Sequence, residues 1–196
     1  MQKTKMKSKD VITVVLMSLI NIIIFGFGSF LYLSPITILM MPVFYSLFQG
    51  IVFFMLGQKV AKKGAFLLYS VIQGVVGFNI PYIIMWVISG FIAEAILART
   101  GYENYRGLTI SYIQQQLLAA VGSTIYPYAI TLGVTLSRMD NTGDLPQYVE
   151  KAGHMIQSWG LIVLIAAIIV SAWLGAFFGK KVCERHLRKK AEAAED

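Results

Sequence analysis

A single-domain, all-α polytopic membrane protein, built as a bundle of six transmembrane helices, is what three features of this sequence predict. Of its 196 residues, 57% are hydrophobic and 14% charged. A water-soluble domain carries roughly a quarter charged residues, so this chain lacks the polar side chains to cover a surface in water. Its apolar residues fall into runs of the length a helix needs to cross a bilayer, about 20 residues. Basic residues then collect beyond alternate ends of those runs, the pattern of proteins that keep positive charge on the cytoplasmic side.

The first run, 11–31, follows a basic tail over 1–10 and stops at Ser34-Pro35. A second, 36–57, ends in Lys59, Lys62 and Lys63. The third begins at Ala65 and closes at Asn79-Ile80-Pro81, an Asn-x-Pro turn signal. Arg99 and the polar stretch 101–107 close the fourth, 82–98. The fifth, 108–132, opens amphipathically with Gln114, Gln115 and Gln116 in a row. A loop over 133–157 holds Asp140, Asn141, Gly143, Asp144 and Pro146, and its end, 147–157, fits a short surface helix. The last span, 158–179, leads into a basic tail over 180–196. The apolar run behind Lys3, Lys5, Lys7 and Lys9 is too long for the core of a signal peptide, and no small-residue cleavage site follows, so no cleaved leader is expected.

Charge sets the orientation. Of the 17 Lys and Arg residues, Arg138 and Lys151 stand in connections on one side, and the other fifteen stand on the opposite side or in the two tails. Positive residues stay cytoplasmic, which puts both termini inside the cell membrane and the 133–157 loop outside. An odd number of spans would place the two basic tails on opposite sides, so the count is even. The same bias accounts for the net charge of +7 without a nucleic-acid partner.

Ionisable side chains are costly within a bilayer and usually functional there. Glu94 is the one carboxylate inside a span; near the cytoplasmic end, its commoner role is pairing with an arginine or a backbone donor. Cys183, the single cysteine, can form neither an internal disulfide nor a Cys-rich metal site. His154 and His186 stand too far apart for a catalytic or metal pair. HExxH, GxSxG and Walker A patterns are absent from the sequence. No enzymatic activity, no cofactor and no ATP hydrolysis are expected of this chain alone.

A neutral set remains on the predicted outer half: Asn79, Tyr82, Trp86, Tyr126, Tyr128, Gln157 and Trp159. Such residues form either an interfacial aromatic belt or a pocket whose rings stack on a ligand while amides orient it. Asn79 and Gln157 favour the pocket, because a belt has no need of amides. Mid-span Gln49 and Gln73 suit hydrogen bonds between helices. Ala167, Ser171, Gly175 and Gly179 recur every four residues in the last span, making a smooth face suited to close packing inside the bundle. Val14 and Ser18 offer a poorer version on the first span, with Asn21 nearby.

Several short segments, in their order and spacing, resemble a known family. They are Lys9-Asp10-Val11-Ile12-Thr13, Lys62-Lys63-Gly64-Ala65, Gly90-Phe91-Ile92-Ala93-Glu94, Gly101-Tyr102-Glu103-Asn104-Tyr105 and the ending from Leu174 to Lys181. Together they resemble the S components of energy-coupling factor (ECF) transporters, and within these the Trep-Strep group, also called the MptD family. The resemblance implies a six-helix subunit that binds a small, vitamin-like nutrient outside, docks on a T subunit and two cytoplasmic ATPases, and topples to release its ligand inside. It also implies a small-residue docking face on the first span, for which Val14 and Ser18 are the nearest match. The other readings are a small self-sufficient transporter or channel, which would need an ion-coupling site such as Glu94, and a membrane scaffold without a ligand.

Overall fold

A computed structural model describes residues 5–77, 79–139 and 143–195, with the backbone alone for Ser29 and 186–195. Lys3, Asp140, Asn141 and the His186 side chain therefore lie outside the described residues. Helices α1 (Ser8–Phe27), α2 (Pro35–Lys59), α3 (Ala65–Val76), α4 (Ile80–Thr100) and α5 (Tyr105–Ala120) follow one another through short turns. The fifth continues as a π-helical stretch, Val121–Ile130, before α6 (Leu132–Ser137) and α7 (Leu145–Met155). A second π-helical stretch, Ile156–Gly160, joins α7 to α8 (Leu161–Glu195), with Ser158 in a non-helical conformation. The fold is all-helical, and no strand occurs among the described residues.

Local chemistry explains the boundaries. Ser34 caps α2, its hydroxyl accepting from Thr37 N at 3.2 Å, and Pro35 fits the first turn, where no N–H is needed. Asn104 caps α5 by accepting from the amides of Arg106 and Gly107. Gly64 precedes α3 at φ 94°, a left-handed conformation that glycine adopts without cost and that provides no capping side chain.

Four helical segments are long and apolar enough to cross a membrane: Ser8–Phe27, Pro35–Lys59, Ile80–Thr100 and Leu145–Arg185, the last kinked at Ser158. The predicted third and fifth spans are present as helices but differ in kind. α3 has only 12 residues, and α5 carries the glutamine row. Most of the predicted 133–157 loop is helical, as α6 and α7; within it α7 is the expected surface helix, begun at Leu145.

The helices gather with two distinct ends. At one end lie the start of α1, the α2–α3 and α4–α5 turns and the basic part of α8. Lys62 Nζ meets Asp10 Oδ2 at 2.6 Å, Gln58 Nε2 donates to Glu103 O at 3.1 Å, and Lys180 lies over the Tyr105 ring. The opposite end holds the α1–α2 and α3–α4 turns, both π-helical stretches, α6 and α7.

Glycine brings α2 and α8 together. A Cβ on Gly50 would overlap the Gly175 carbonyl, one on Gly175 would overlap Ser46 O, and one on Gly179 would stand 2.7 Å from Gly50 O. Ser171 Oγ donates to Val43 O at 2.6 Å across the same seam. The small-residue ladder thus packs inside the bundle, where close backbone approach replaces the missing hydrophobic drive between helices in lipid. Amides bind the other helices. Asn21 Nδ2 donates to Gln73 Oε1 and Gln73 Nε2 to Ser18 O, both at 3.0 Å, tying α1 to α3. Gln115 Nε2 reaches Ser70 Oγ at 2.8 Å, joining α5 to α3.

Candidate functional site: an aromatic and amide cleft

Between α1, α2, α4 and α5, in the half of the bundle away from the chain termini, lies a cleft of about 20 Å³. That volume holds about one water. Phe25, Tyr45, Gln49, Tyr82, Trp86 and Gln116 supply its rings and amides.

Each wall has a local cause. Tyr45 lies against Phe25, ring centroids 5.1 Å apart and 22° from parallel, and its hydroxyl donates to Phe25 O at 3.1 Å. The ring can sit there because Gly28 lacks a Cβ, which would overlap the Tyr45 hydroxyl. Gly77 makes the equivalent notch for the Tyr82 ring, and Gly122 lets the first π-helical stretch come so near α4 that a Cβ would stand 2.7 Å from Tyr82 Cα. Trp86 meets Tyr82 edge-on at 5.9 Å and Tyr69 at 6.1 Å. On the remaining side Gln116 Nε2 donates to Gln49 Oε1 at 3.2 Å.

Of the predicted set, Tyr82 and Trp86 line this cleft. Tyr128 is buried elsewhere, in an apolar cluster with Ile38, Leu132, Val149 and Ile156 beneath α7. Tyr126 and Trp159 face outward, 37% and 71% exposed, which is the placement of interfacial belt residues. Asn79 opens α4 half-buried, and its side chain caps nothing. Gln157 is exposed and donates to Ala129 O at 3.0 Å, pinning the two π-helical stretches together. Of the seven, the structure therefore brings only Tyr82 and Trp86 together at this cleft, and it leaves Tyr126 and Trp159 to the belt alternative. Phe25, Tyr45 and Gln116 were not anticipated, and Gln49 adds cleft lining to its helix–helix hydrogen bond.

The face expected to dock a partner is also corrected. Val14 and Ser18 are each 0% exposed. Ser18 donates to Val14 O and accepts Gln73 through its own carbonyl, because the small side chains of α1 are what let α3 approach.

Glu94 is committed to structure. Its Oε1 accepts from Phe66 N at 2.9 Å and Leu67 N at 3.4 Å, and its Oε2 accepts from the Tyr102 hydroxyl at 2.6 Å. It caps α3 from across the bundle, supplying what Gly64 cannot. Asp10 works similarly at α1. The hydrogen bond from Lys62, then that from the Lys7 amide, holds its carboxyl below the usual carboxylate range. No group of His, Cys, Asp and Glu fit to hold a metal ion occurs among the described residues.

Comparison with known proteins adds a family. Curated proteins and solved structures yield no match. The sequence profile of a family described as hypothetical bacterial integral membrane protein (Trep_Strep) matches residues 8–189. The matched stretch spans the whole bundle, the cleft and the Glu94 cap included, and so this chain belongs to the Trep_Strep family of bacterial integral membrane proteins.

Proposed function

We propose that this chain is the substrate-capturing S component of an ECF-type importer. It crosses the cell membrane six times, α3 and α5 completing the four longer spans, with both termini in the cytoplasm. It takes up a small, vitamin-like nutrient on the outer side and passes it inward with a T subunit and two ATPases. The observation that carries this reading is the position and chemistry of the cleft. Aromatic rings and amides line it in the half of the bundle away from the basic termini, the half that the positive-inside rule turns outward. Few polar groups set among apolar walls are the usual make-up of a small-molecule site.

Ion coupling, which a self-sufficient carrier would need, gains no support from Glu94. Both of its carboxylate oxygens already accept hydrogen bonds from α3 and Tyr102. The test is reconstitution. Tagged chain, gently purified from its own host, should bring down a T subunit and ATPases, and liposomes should accumulate substrate only when all four polypeptides and ATP are present. Concentrative uptake by liposomes holding this chain alone would overturn the proposal.

A further inference from the structure

We infer that the cleft takes an uncharged, flat nitrogen heterocycle bearing a hydrogen-bond acceptor on its rim, and that Trp86 is the donor that selects it. This rests on the capture reading above and specifies its ligand.

Charge is the first filter. No Asp, Glu, Lys, Arg or His lines the cleft among the described residues. A carboxylate or ammonium drawn in would lose its hydration and meet no counter-ion, which is among the costliest burials a protein can make. Shape is the second. Phe25 and Tyr45 lie near-parallel, and Tyr82 and Trp86 meet edge to face. Both are the arrangements aromatic rings prefer, and a flat ring added to either pair would repeat them.

Hydrogen bonding is the third filter, and the most specific. Trp86 is 1% exposed, and its Nε1–H makes no hydrogen bond of good geometry; the Tyr82 hydroxyl interacts with it, and the Tyr69 and Tyr82 rings pack edge-on against the indole. A buried donor is costly to leave unpaired, and an acceptor brought by the ligand would complete it. Across the cleft, the Gln116–Gln49 bond is the only one these two side chains make among the described residues. That leaves a donor on Gln49 and an acceptor on Gln116, the complement of an amide or lactam edge. An entering ring must displace Tyr45 or Tyr82 from its glycine notch, since the cleft holds about one water.

The test titrates full-length chain in lipid nanodiscs with nicotinamide, hypoxanthine and lumichrome as uncharged probes, and with nicotinate and orotate as anionic ones, by calorimetry. At least one uncharged probe should bind, ten times or more tighter than either anion. Trp86→Phe, which keeps a ring and loses the donor, should weaken that probe about tenfold with an unchanged melting temperature. Equal or tighter binding of an anion overturns the inference, as does an unaltered affinity in a folded Trp86→Phe. Should that variant not fold, the probe series on the unsubstituted chain decides alone. If no probe binds, native mass spectrometry of the same preparation decides. A retained uncharged aromatic molecule supports the inference, a charged or non-aromatic one overturns the ligand class but leaves capture standing, and none at all overturns both.

Discussion

Replacing Gly175 with alanine tests how close α2 and α8 must be. In the structure a Cβ at this position would overlap Ser46 O and stand 2.8 Å from Leu47 O, well inside ordinary contact. Neither atom can swing aside, because both belong to the α2 backbone. The helices must separate instead, which strains the Ser171–Val43 hydrogen bond of 2.6 Å and opens the Gly50–Gly179 contact. Overpacking of this kind costs about 1–3 kcal/mol. Because only backbone can give way, the cost should lie at the upper end of that range; alanine regains up to about 1 kcal/mol of helix propensity, so the net loss should be about 2 kcal/mol. Gly26→Ala is the control, since nothing lies within 4 Å of a Cβ there, and it should be neutral or stabilising. Reversible unfolding in mixed micelles, followed by circular dichroism, measures both. A Gly175→Ala protein as stable as the unsubstituted chain would refute the close approach.

Ser18→Leu should lower stability by about 1–3 kcal/mol in the same assay, because Ser18 is buried against α3; an unchanged midpoint would restore the open-face reading. Glu94→Ala should speed hydrogen exchange at the Phe66 and Leu67 amides by about tenfold, the loss of a helix cap, and unchanged exchange would count against the cross-bundle cap. Asp10 has a depressed pKa when folded, so its contribution is present above the ordinary carboxylate pKa and fades as pH falls through the lower folded value. The gap in thermal stability between unsubstituted chain and Asp10→Asn should therefore persist at neutral pH and close in strong acid; a gap independent of pH would refute the clamp. Cys183 is buried, which lifts its thiol pKa to about 11, with Glu184 adding to the shift. Maleimide at pH 7 should label it slowly even from the cytoplasmic side, whereas cysteine placed at exposed position 185 should react promptly if the terminus is inside.

The helical fold was legible because apolar length and turn residues are local signals. Ser34-Pro35, Asn104 and Gly64 each stand where a helix begins, and the four-residue repeat ending in Gly175 and Gly179 pointed to close packing inside the bundle, though not to α2 as the neighbour. The cleft was only half legible, for a physical reason. Tyr82 and Trp86 are one helical turn apart and announce themselves, but Phe25, Tyr45 and Gln116 reach them through the crossing of three other helices, which periodicity does not encode. Their usable trace was indirect, in the glutamine row of α5 and in Gly28 and Gly77, which carry no local sign of the rings they admit. Trp159 and Tyr126 misled because an aromatic residue at a helix end has the same local pattern whether it faces a pocket or lipid. Val14 and Ser18 misled likewise: a small-residue face shows that something packs closely, not whether it is a partner or the next helix.

The brevity of α3 has a consequence for the surrounding lipid. Its 12 residues rise about 18 Å at 1.5 Å each, against a hydrocarbon thickness of about 30 Å. On the six-span reading proposed above, lipid beside the outward-facing Val71 and Val75 would meet a stretch shorter than the bilayer and would thin or bend to match it.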